Sequence, residues 1–169
     1  MAAHGYSELT PSRRLLMGPG PSDAHPRVLR AMTTPLLGHL DPEFLELMEE
    51  SKTLLRSAFG TANDLTIPIS ATGSAGMEAA FVNVVEPGDD VIVCVNGVFG
   101  QRMSDIVGRC GANLTRVEAD WGATVAAEDV AAALKAVKNP KVVAIVHAET
   151  STGVLQPLGD IAALARDHG

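Results

Sequence analysis

The chain has 169 residues, of which 46% are hydrophobic and 20% charged, a composition typical of a folded domain and not of a disordered segment. Twenty acidic residues against thirteen basic ones give a net charge of -7, which argues against the broad positive field of proteins that bind nucleic acid or anionic lipid. The sequence has only two cysteines and no Cys/His cluster with zinc spacing, which predicts a reducing compartment and no metal site. It has no apolar stretch of membrane-spanning length and no signal-like N-terminus, so we expect a cytoplasmic protein.

The first part of the chain predicts a polar arm followed by two helices. We expect the arm and a Gly- and Pro-rich loop, GPGPS, over residues 1–22, and a short helix over about residues 26–32. Asp41 can cap a longer helix that starts at Pro42, carries apolar residues at helical spacing and ends at Gly60.

From residue 65 onward, short apolar runs alternate with helical segments. The predicted strands are Leu65–Ser70, Val91–Val95, Asn113–Glu118 and Val142–Ala148, and the predicted helices are Ala75–Val85, Gln101–Cys110, Ala127–Val137 and Gly159–His168. The runs VIVCV and VVAIVHA lack apolar–polar alternation, which is typical of strands buried on both faces. Alternating strands and helices predict an α/β domain with a mostly parallel, helix-covered sheet.

Ligands of such sheets bind beyond the carboxyl ends of the strands, so the loops at those ends are the candidate sites. The loop ATGSAG joins a predicted strand to a helix. Its glycines allow close approach of the backbone, helical N–H groups favour an anion, and the hydroxyls of Thr72 and Ser74 add hydrogen bonds. On these features alone, a phosphate site and a plain strand-to-helix turn with a capping hydroxyl are equal alternatives. The glycine spacing fits neither a P-loop nor the G-x-G-x-x-G pattern.

Two further loops follow the predicted buried strands. The loop NGVFGQR presents Phe99, which can stack on a planar ligand, although packing into the core is the commoner role for such a residue. The loop HAETSTG combines His147 and Glu149 with three hydroxyls. We interpret His147 and Glu149 as a local hydrogen-bonded pair and the hydroxyls as ligand contacts, because the G-x-S-x-G sequence of a hydrolase is missing.

In their order along the chain, the motifs GPGPS, GHLDPEF, ATGSAGMEAAF, EPGD, NGVFGQR and HAETSTGVLQPL resemble those of the class V aminotransferases, most closely the alanine-glyoxylate and serine-pyruvate subgroup. The resemblance extends over nearly the whole chain from about Leu16. It implies pyridoxal 5'-phosphate (PLP) as the cofactor. It also implies the fold-type I large domain of PLP transferases, a three-layer α/β/α structure with a mostly parallel sheet, of which residues 23–169 are the first part.

The resemblance implies a role for several residues of the loops. Thr72, Gly73 and Ser74 match the loop that holds the cofactor phosphate in the family, in agreement with the helix-terminus argument. Phe99 matches the aromatic residue that stacks on the pyridine ring. Thr150 matches a Ser or Thr that contacts the ring hydroxyl.

Substrates and partners are implied in the same way. Gly20 matches the segment near the substrate carboxylate, and the substrates are a small amino acid, such as alanine or serine, and a 2-oxo acid, glyoxylate or pyruvate. The family also implies a homodimer in which the N-terminal arm wraps over the neighbouring subunit. We expect no nucleic-acid or membrane partner.

The chain departs from the family pattern in its lysines. It has only Lys52, Lys135, Lys138 and Lys141, and none lies in the Ser-rich sequence of the family's Schiff-base lysine. We therefore expect this chain to be the N-terminal portion of a longer enzyme, without a catalytic residue and inactive alone. The rest of the large domain and a C-terminal small domain would be absent from it, and the apolar edge at Val142–Ala148 predicts that the isolated fragment associates.

Other activities remain open at this point. They are ureidoglycine-glyoxylate, aminoethylphosphonate-pyruvate or pyridoxamine-pyruvate transamination, and a lyase reaction like that of the cysteine desulfurases. A chain that binds an anionic ligand without catalysis is a further alternative, suggested by the missing lysine. A nucleotide-binding Rossmann module is disfavoured by the glycine spacing.

Overall fold

The computed structural model describes residues 8–169, so residues 1–7 of the predicted arm lie outside the described residues. The chain divides into two compact units, one formed by the described residues up to Met48 and the other by Glu49–Gly169. The predicted division between residues 22 and 23 stays a prediction. Among the described residues, no helix has both the length and the apolar character needed to cross a membrane.

The elements follow one another in an alternating order. The helices are α1 (Pro26–Ala31), α2 (Pro42–Phe59), α3 (Gly73–Val84), α4 (Val98–Arg109), α5 (Ala127–Ala136) and α6 (Gly159–His168). The strands are β1 (Asp90–Val95), β2 (Asn113–Glu118), β3 (Pro140–Ala144), β4 (Ala148–Glu149) and β5 (Val154–Leu155).

Helix α2 begins and ends where the sequence predicts. The Asp41 carboxylate accepts the backbone N–H of Glu43 at 2.9 Å, and Pro42 is the first helical residue. Gly60 follows the helix with φ +62°, a left-handed conformation that glycine adopts without steric cost. None of the side chains of α2 is buried, although several are apolar.

The main sheet has three parallel strands in the order β2-β1-β3. The chain passes from β1 to β2 through α4, and then returns past β1 to β3 through α5. Because crossovers between parallel strands are right-handed, this reversal of direction places α4 and α5 on opposite faces of the sheet. β4 and β5 form a separate antiparallel pair.

Strand β1 forms the centre of the hydrophobic core. Val91, Val93 and Val95 pack on one face against α3 and α4, and Ile92 and Cys94 pack on the other face with residues of α5 and α6. The arrangement is a three-layer α/β/α structure with a parallel sheet, which confirms the predicted fold class. Burial raises the pKa of the Cys94 thiol to about 11, so this side chain is a neutral, apolar part of the core.

The predicted strand Leu65–Ser70 is wrong. This segment forms no regular structure, and Leu65 is 84% exposed. Pro68 has no N–H to donate to a strand ladder, and the polar groups nearby bond locally, as in the N–H of Thr66 to the Asp64 carbonyl at 2.9 Å. β-branched and apolar residues alone therefore do not form a strand without a paired neighbour.

Two other boundaries differ from the prediction. The helix predicted from Gln101 begins at Val98, so most of the predicted NGVFGQR loop is the first turn of α4. The strand predicted to run to Ala148 ends at Ala144, and residues 148–149 belong to the β4–β5 pair instead. The last pair between β1 and β3 is Val93 with Ala144, and residues 145–147 lie outside the sheet.

Candidate functional site

The candidate site lies at the carboxyl ends of β1 and β3. Strand order reverses at β1, and in parallel α/β sheets ligands bind beyond the strand ends at such a point. Residues 96–97 lead from β1 into α4, and residues 145–153 lead from β3 through β4 towards β5. These two segments are joined by a buried carboxylate.

That carboxylate is Glu149, which is only 1% exposed. Its Oε2 atom accepts the backbone N–H groups of Phe99 at 3.0 Å and Gly100 at 3.3 Å, at the start of α4. Its Oε1 atom accepts the N–H of Ser151 at 3.2 Å and the Ser151 hydroxyl at 2.5 Å. A negative charge at a helix N-terminus is stabilised by the free N–H groups and the helix dipole. Glu149 therefore caps α4 from a distant segment of the chain.

Gly97 leaves the space that Glu149 occupies. A Cβ atom at position 97 would lie 2.4 Å from Cγ and 2.5 Å from Cδ of Glu149. Gly97 is the N-cap residue of α4 and has no side chain to bond the first N–H groups. The capping carboxylate of Glu149 fits because the local cap is a glycine.

The three hydroxyls after Glu149 have different roles. The Ser151 hydroxyl also accepts the N–H of Val98 at 3.0 Å, and the Thr152 hydroxyl lies 3.5 Å from the Asn96 carbonyl oxygen. Thr150 is exposed, and within residues 8–169 its hydroxyl forms no hydrogen bond. Of the three, Thr150 is thus the hydroxyl available to a ligand.

The interpretation of His147 and Glu149 as a hydrogen-bonded pair is wrong. Within the described part of the chain, the carboxylate of Glu149 is bonded to α4 and Ser151 and not to His147. His147 contributes its backbone carbonyl, which accepts the N–H of Gln156 at 2.8 Å. A helix terminus offers several N–H donors at once and so competes successfully for a buried carboxylate.

Two buried amide side chains hold the neighbouring segment in place. Gln156 accepts the N–H of Val125 at 2.8 Å and donates to the Val125 carbonyl at 3.1 Å. Asn96 donates to the Ala123 carbonyl at 2.9 Å. Because both amides are almost fully buried, these bonds fix the segment before α5 against the strand ends.

The start of α3 has the features of an anion site. Thr72 is its N-cap and accepts the N–H of Ala75 at 3.4 Å, and the first helical turn contains no acidic residue. No atom lies within 4 Å of a Cβ built on Gly73, so the backbone there is open to a ligand. Thr72 and Gly73 are exposed and Ser74 is half-buried. The first N–H groups of a helix lack helical acceptors, so they can bind a phosphate.

Arg102 connects this helix start with the aromatic residue of the site. Its guanidinium donates a hydrogen bond to the Ser74 hydroxyl, and its Cζ atom lies 5.4 Å from the centre of the Phe99 ring. Phe99 is half-buried in the first turn of α4. Arg102 therefore links Ser74 to Phe99, and Glu149, the residue directly before Thr150 in the chain, accepts the Phe99 N–H.

Gly20 belongs to the other unit of the chain. It has φ +116°, a conformation that L side chains rarely adopt, and it lies between Leu16 and Asp23, whose carboxylate accepts the Leu16 N–H at 3.3 Å. This bond closes the predicted loop. The role of Gly20 near a substrate carboxylate stays a prediction.

The donor set fits the cofactor that the resemblance implies. Open N–H groups at Gly73 and Ser74 suit a phosphate, the Phe99 ring suits a planar heterocycle, and the free Thr150 hydroxyl suits a polar substituent on that ring. The roles of Glu149 and Arg102 were not found from the sequence. One signal was present, since a helix that begins after Gly97 needs a cap from elsewhere.

Known proteins similar to this chain include several aminotransferases. The profile of the class-V aminotransferases matches residues 16–169. The structure of an alanine-glyoxylate aminotransferase from Nostoc sp. has a TM-score of 0.93 and 48% identity, covering 98% of this chain and 44% of that chain. The ureidoglycine-glyoxylate aminotransferase of Bacillus subtilis has a TM-score of 0.92 and 43% identity, covering 96% of this chain and 42% of that chain.

A similar relation is found with an alanine-glyoxylate aminotransferase of Drosophila melanogaster. It is 44% identical over 143 residues, which are 85% of this chain and 36% of that protein. The chain thus spans less than half the length of each of these three relatives.

Proposed function

Because the chain belongs to the class V aminotransferase family, as its ordered motifs predict, we propose that the full-length protein is a PLP-dependent aminotransferase. It transfers the amino group of a small amino acid, alanine or serine, to glyoxylate or pyruvate. The observation that carries the proposal is the convergence of an open helix start at Gly73, an aromatic ring at Phe99 and a free hydroxyl at Thr150, joined through Arg102 and Glu149.

Each of these residues has a defined task in the proposed site. When bound, PLP supplies an electron sink for the bonds to the substrate Cα atom. The N–H groups of Gly73 and Ser74 and the hydroxyls of Thr72 and Ser74 would hold the phosphate. Phe99 would lie against the pyridine ring and Thr150 would bond its hydroxyl.

The lysines of the chain support the expectation that the Schiff-base lysine is not among these residues. Lys141 lies at the amino end of β3, opposite the candidate site, and binds Asp89 at 2.6 Å. Lys52 is on α2 and binds Glu49 at 2.7 Å. Lys135 is in the last turn of α5, and none of the four lysines lies in the family's Ser-rich sequence, which is the ground for predicting that residues 1–169 alone are inactive.

The names of the three relatives agree on the amino acceptor and differ in the amino donor. The Nostoc and Drosophila enzymes are named for alanine and glyoxylate, and the Bacillus subtilis enzyme is named for ureidoglycine and glyoxylate. Glyoxylate is common to all three, which supports it as the acceptor of this protein. Ureidoglycine is the second candidate donor, because the Bacillus protein covers 96% of this chain at 43% identity.

Cofactor titration and donor–acceptor assays of the full-length protein test the proposal. We expect PLP to bind with a change in its absorbance, and amino transfer to glyoxylate to be faster from alanine or serine than from (S)-ureidoglycine. The reverse order would favour the second candidate, and a protein that neither binds PLP nor transfers an amino group would refute the proposal. Thr150→Val should weaken PLP binding, whereas Thr152→Val, which removes a hydroxyl with only 3.5 Å contacts, should change it little.

We also propose a cytoplasmic homodimer in which the N-terminal arm wraps over the neighbouring subunit. The family supports the dimer, and the low cysteine count supports a reducing compartment. Light scattering of the full-length protein, with and without residues 1–22, tests the assembly. A dimer that loses stability on removal of the arm is expected, and a monomer contradicts it.

A further inference from the structure

We propose that Arg102 is a positioning residue of the cofactor site, which orients the Ser74 hydroxyl towards a phosphate and holds the Phe99 ring. The proposal rests on the proposed function, because the phosphate and the planar ring are those of PLP. The observation behind it is that one guanidinium contacts both predicted cofactor residues.

The helical spacing explains how one side chain reaches two partners. Phe99 and Arg102 are three residues apart on α4, so they lie on the same side of that helix. From there the guanidinium lies over the Phe99 ring, with Cζ at 5.4 Å from its centre, and donates to Ser74 in the first turn of α3. Within residues 8–169, Arg102 forms no ion pair with a carboxylate, so its charge is not neutralised by an acidic partner.

The chemistry of the hydroxyl gives this contact a direction. A serine hydroxyl has one donor and two acceptor sites, whereas a guanidinium only donates. Ser74 must therefore accept from Arg102, and its own O–H group is left to donate to another acceptor. A phosphate at the α3 N-terminus is such an acceptor, so Arg102 acts on it through the orientation of the Ser74 hydroxyl.

The aromatic contact acts on the other half of the cofactor. A guanidinium packed on one face of an aromatic ring restrains the ring and leaves the opposite face for a planar ligand. Loss of Arg102 would thus free both the Ser74 hydroxyl and the Phe99 ring. A lysine at position 102 would keep the charge and a hydrogen-bond donor but would lose the planar stacking surface.

A second arginine of the same helix serves as a matched control. Arg109 also connects α4 to α3, with its guanidinium 3.6 Å from the Glu78 carboxylate, but it contacts neither Ser74 nor Phe99. If Arg102 merely joined the two helices, Arg102→Gln and Arg109→Gln would have the same effects. If it positions the cofactor residues, only Arg102→Gln changes cofactor affinity.

The test compares the affinities of the full-length apoprotein for PLP and for pyridoxal, which lacks the phosphate. We expect Arg102→Gln to weaken PLP binding by about tenfold or more and to lower the ratio of PLP to pyridoxal affinity. Ser74→Ala should lower the ratio similarly, and the double variant should lower it no further, because Arg102 acts through Ser74. Arg102→Lys should have a ratio of PLP to pyridoxal affinity between those of Arg102→Gln and the wild type. The affinity of Arg102→Lys for pyridoxal should remain below that of the wild type, because lysine lacks the planar stacking surface. Arg109→Gln should leave both affinities unchanged.

The outcomes separate this inference from the proposed function. A wild-type protein that fails to bind PLP refutes the proposed function and removes the premise of the inference. A wild-type protein that binds PLP, with both Arg102 variants at the wild-type ratio, refutes the inference alone. Additive losses in the double variant would also overturn it, because Arg102 would then bind the phosphate itself. If Arg102→Gln is unfolded by circular dichroism, Arg102→Lys and Ser74→Ala decide the question.

Discussion

Replacing Glu149 with alanine tests whether a buried carboxylate organises the site. The side chain is 1% exposed and accepts four hydrogen bonds, two from the N–H groups of Phe99 and Gly100 and two from Ser151. Hydrogen bonds to a charged group contribute about 1.5–3 kcal/mol each, but water that enters the cavity would replace part of them. We therefore expect Glu149→Ala to lower the local free energy of unfolding at the start of α4 by about 2–4 kcal/mol.

Hydrogen exchange measured by mass spectrometry on the full-length protein reports this loss directly. About 1.4 kcal/mol corresponds to a tenfold change in an equilibrium, so protection of the Phe99 and Gly100 amides should fall by about 30- to 1000-fold. Glu149→Gln keeps one acceptor oxygen and should lie between the alanine variant and the wild type. The effect should be confined to the start of α4 and the segment after Glu149.

A carboxylate at another helix start provides the control. Glu128 lies in the first turn of α5 but is exposed to solvent, so Glu128→Ala removes only a screened interaction with the helix dipole. We expect Glu128→Ala to change the local free energy of unfolding at the start of α5 by no more than about 0.5 kcal/mol. Equal loss of protection in the two variants, or unchanged exchange at Phe99 in Glu149→Ala, would refute the capping role.

Two further predictions concern the packing and the surface of the same unit. Gly100→Ala should destabilise the protein by about 1–3 kcal/mol in urea unfolding, because its Cβ would lie 2.9 Å from two backbone atoms of β1. A Cβ built on Gly108 in the same helix has no atom within 4 Å, so Gly108→Ala should stabilise the protein by about 0.5–1 kcal/mol. A loss of stability of similar size in both variants would contradict this contrast. The hydrogen bond between Asp89 and Lys141 lowers the pKa of Asp89 from its ordinary 3.8 and raises that of Lys141 from 10.5. Its stabilising effect is therefore complete between these two values, and is lost as the pH falls through the folded pKa of Asp89 or rises through that of Lys141. Unfolding of Asp89→Asn across the pH range should show weaker losses at both ends than the wild type, and identical pH profiles would exclude the pair as a contributor.

The layers of the fold could be predicted from the sequence because they depend on local patterns. The run from Val91 to Val95 has no polar residue and therefore fits a strand covered on both faces. The Asp41 and Gly60 boundaries of α2 follow from capping preferences that act over a few residues. The Leu65–Ser70 segment shows the limit, since a strand also needs a paired neighbour, which the pattern of a single segment does not reveal.

For the candidate site too, some residues could be predicted from the sequence, whereas the contacts between them are seen only in the structure. Local patterns predict polar loops at the strand ends, and the order of the motifs points to Thr72, Gly73, Ser74, Phe99 and Thr150 as residues of the site. The three-dimensional arrangement of the helices and strands shows that Glu149 caps α4 instead of pairing with its neighbour His147, and that Arg102 contacts both Ser74 and Phe99. Glu149 lies 50 residues from Phe99 in the chain, and Arg102 lies 28 residues from Ser74. Such contacts depend on strand order and on the meeting of separate helix ends, for which local residue spacing carries no information.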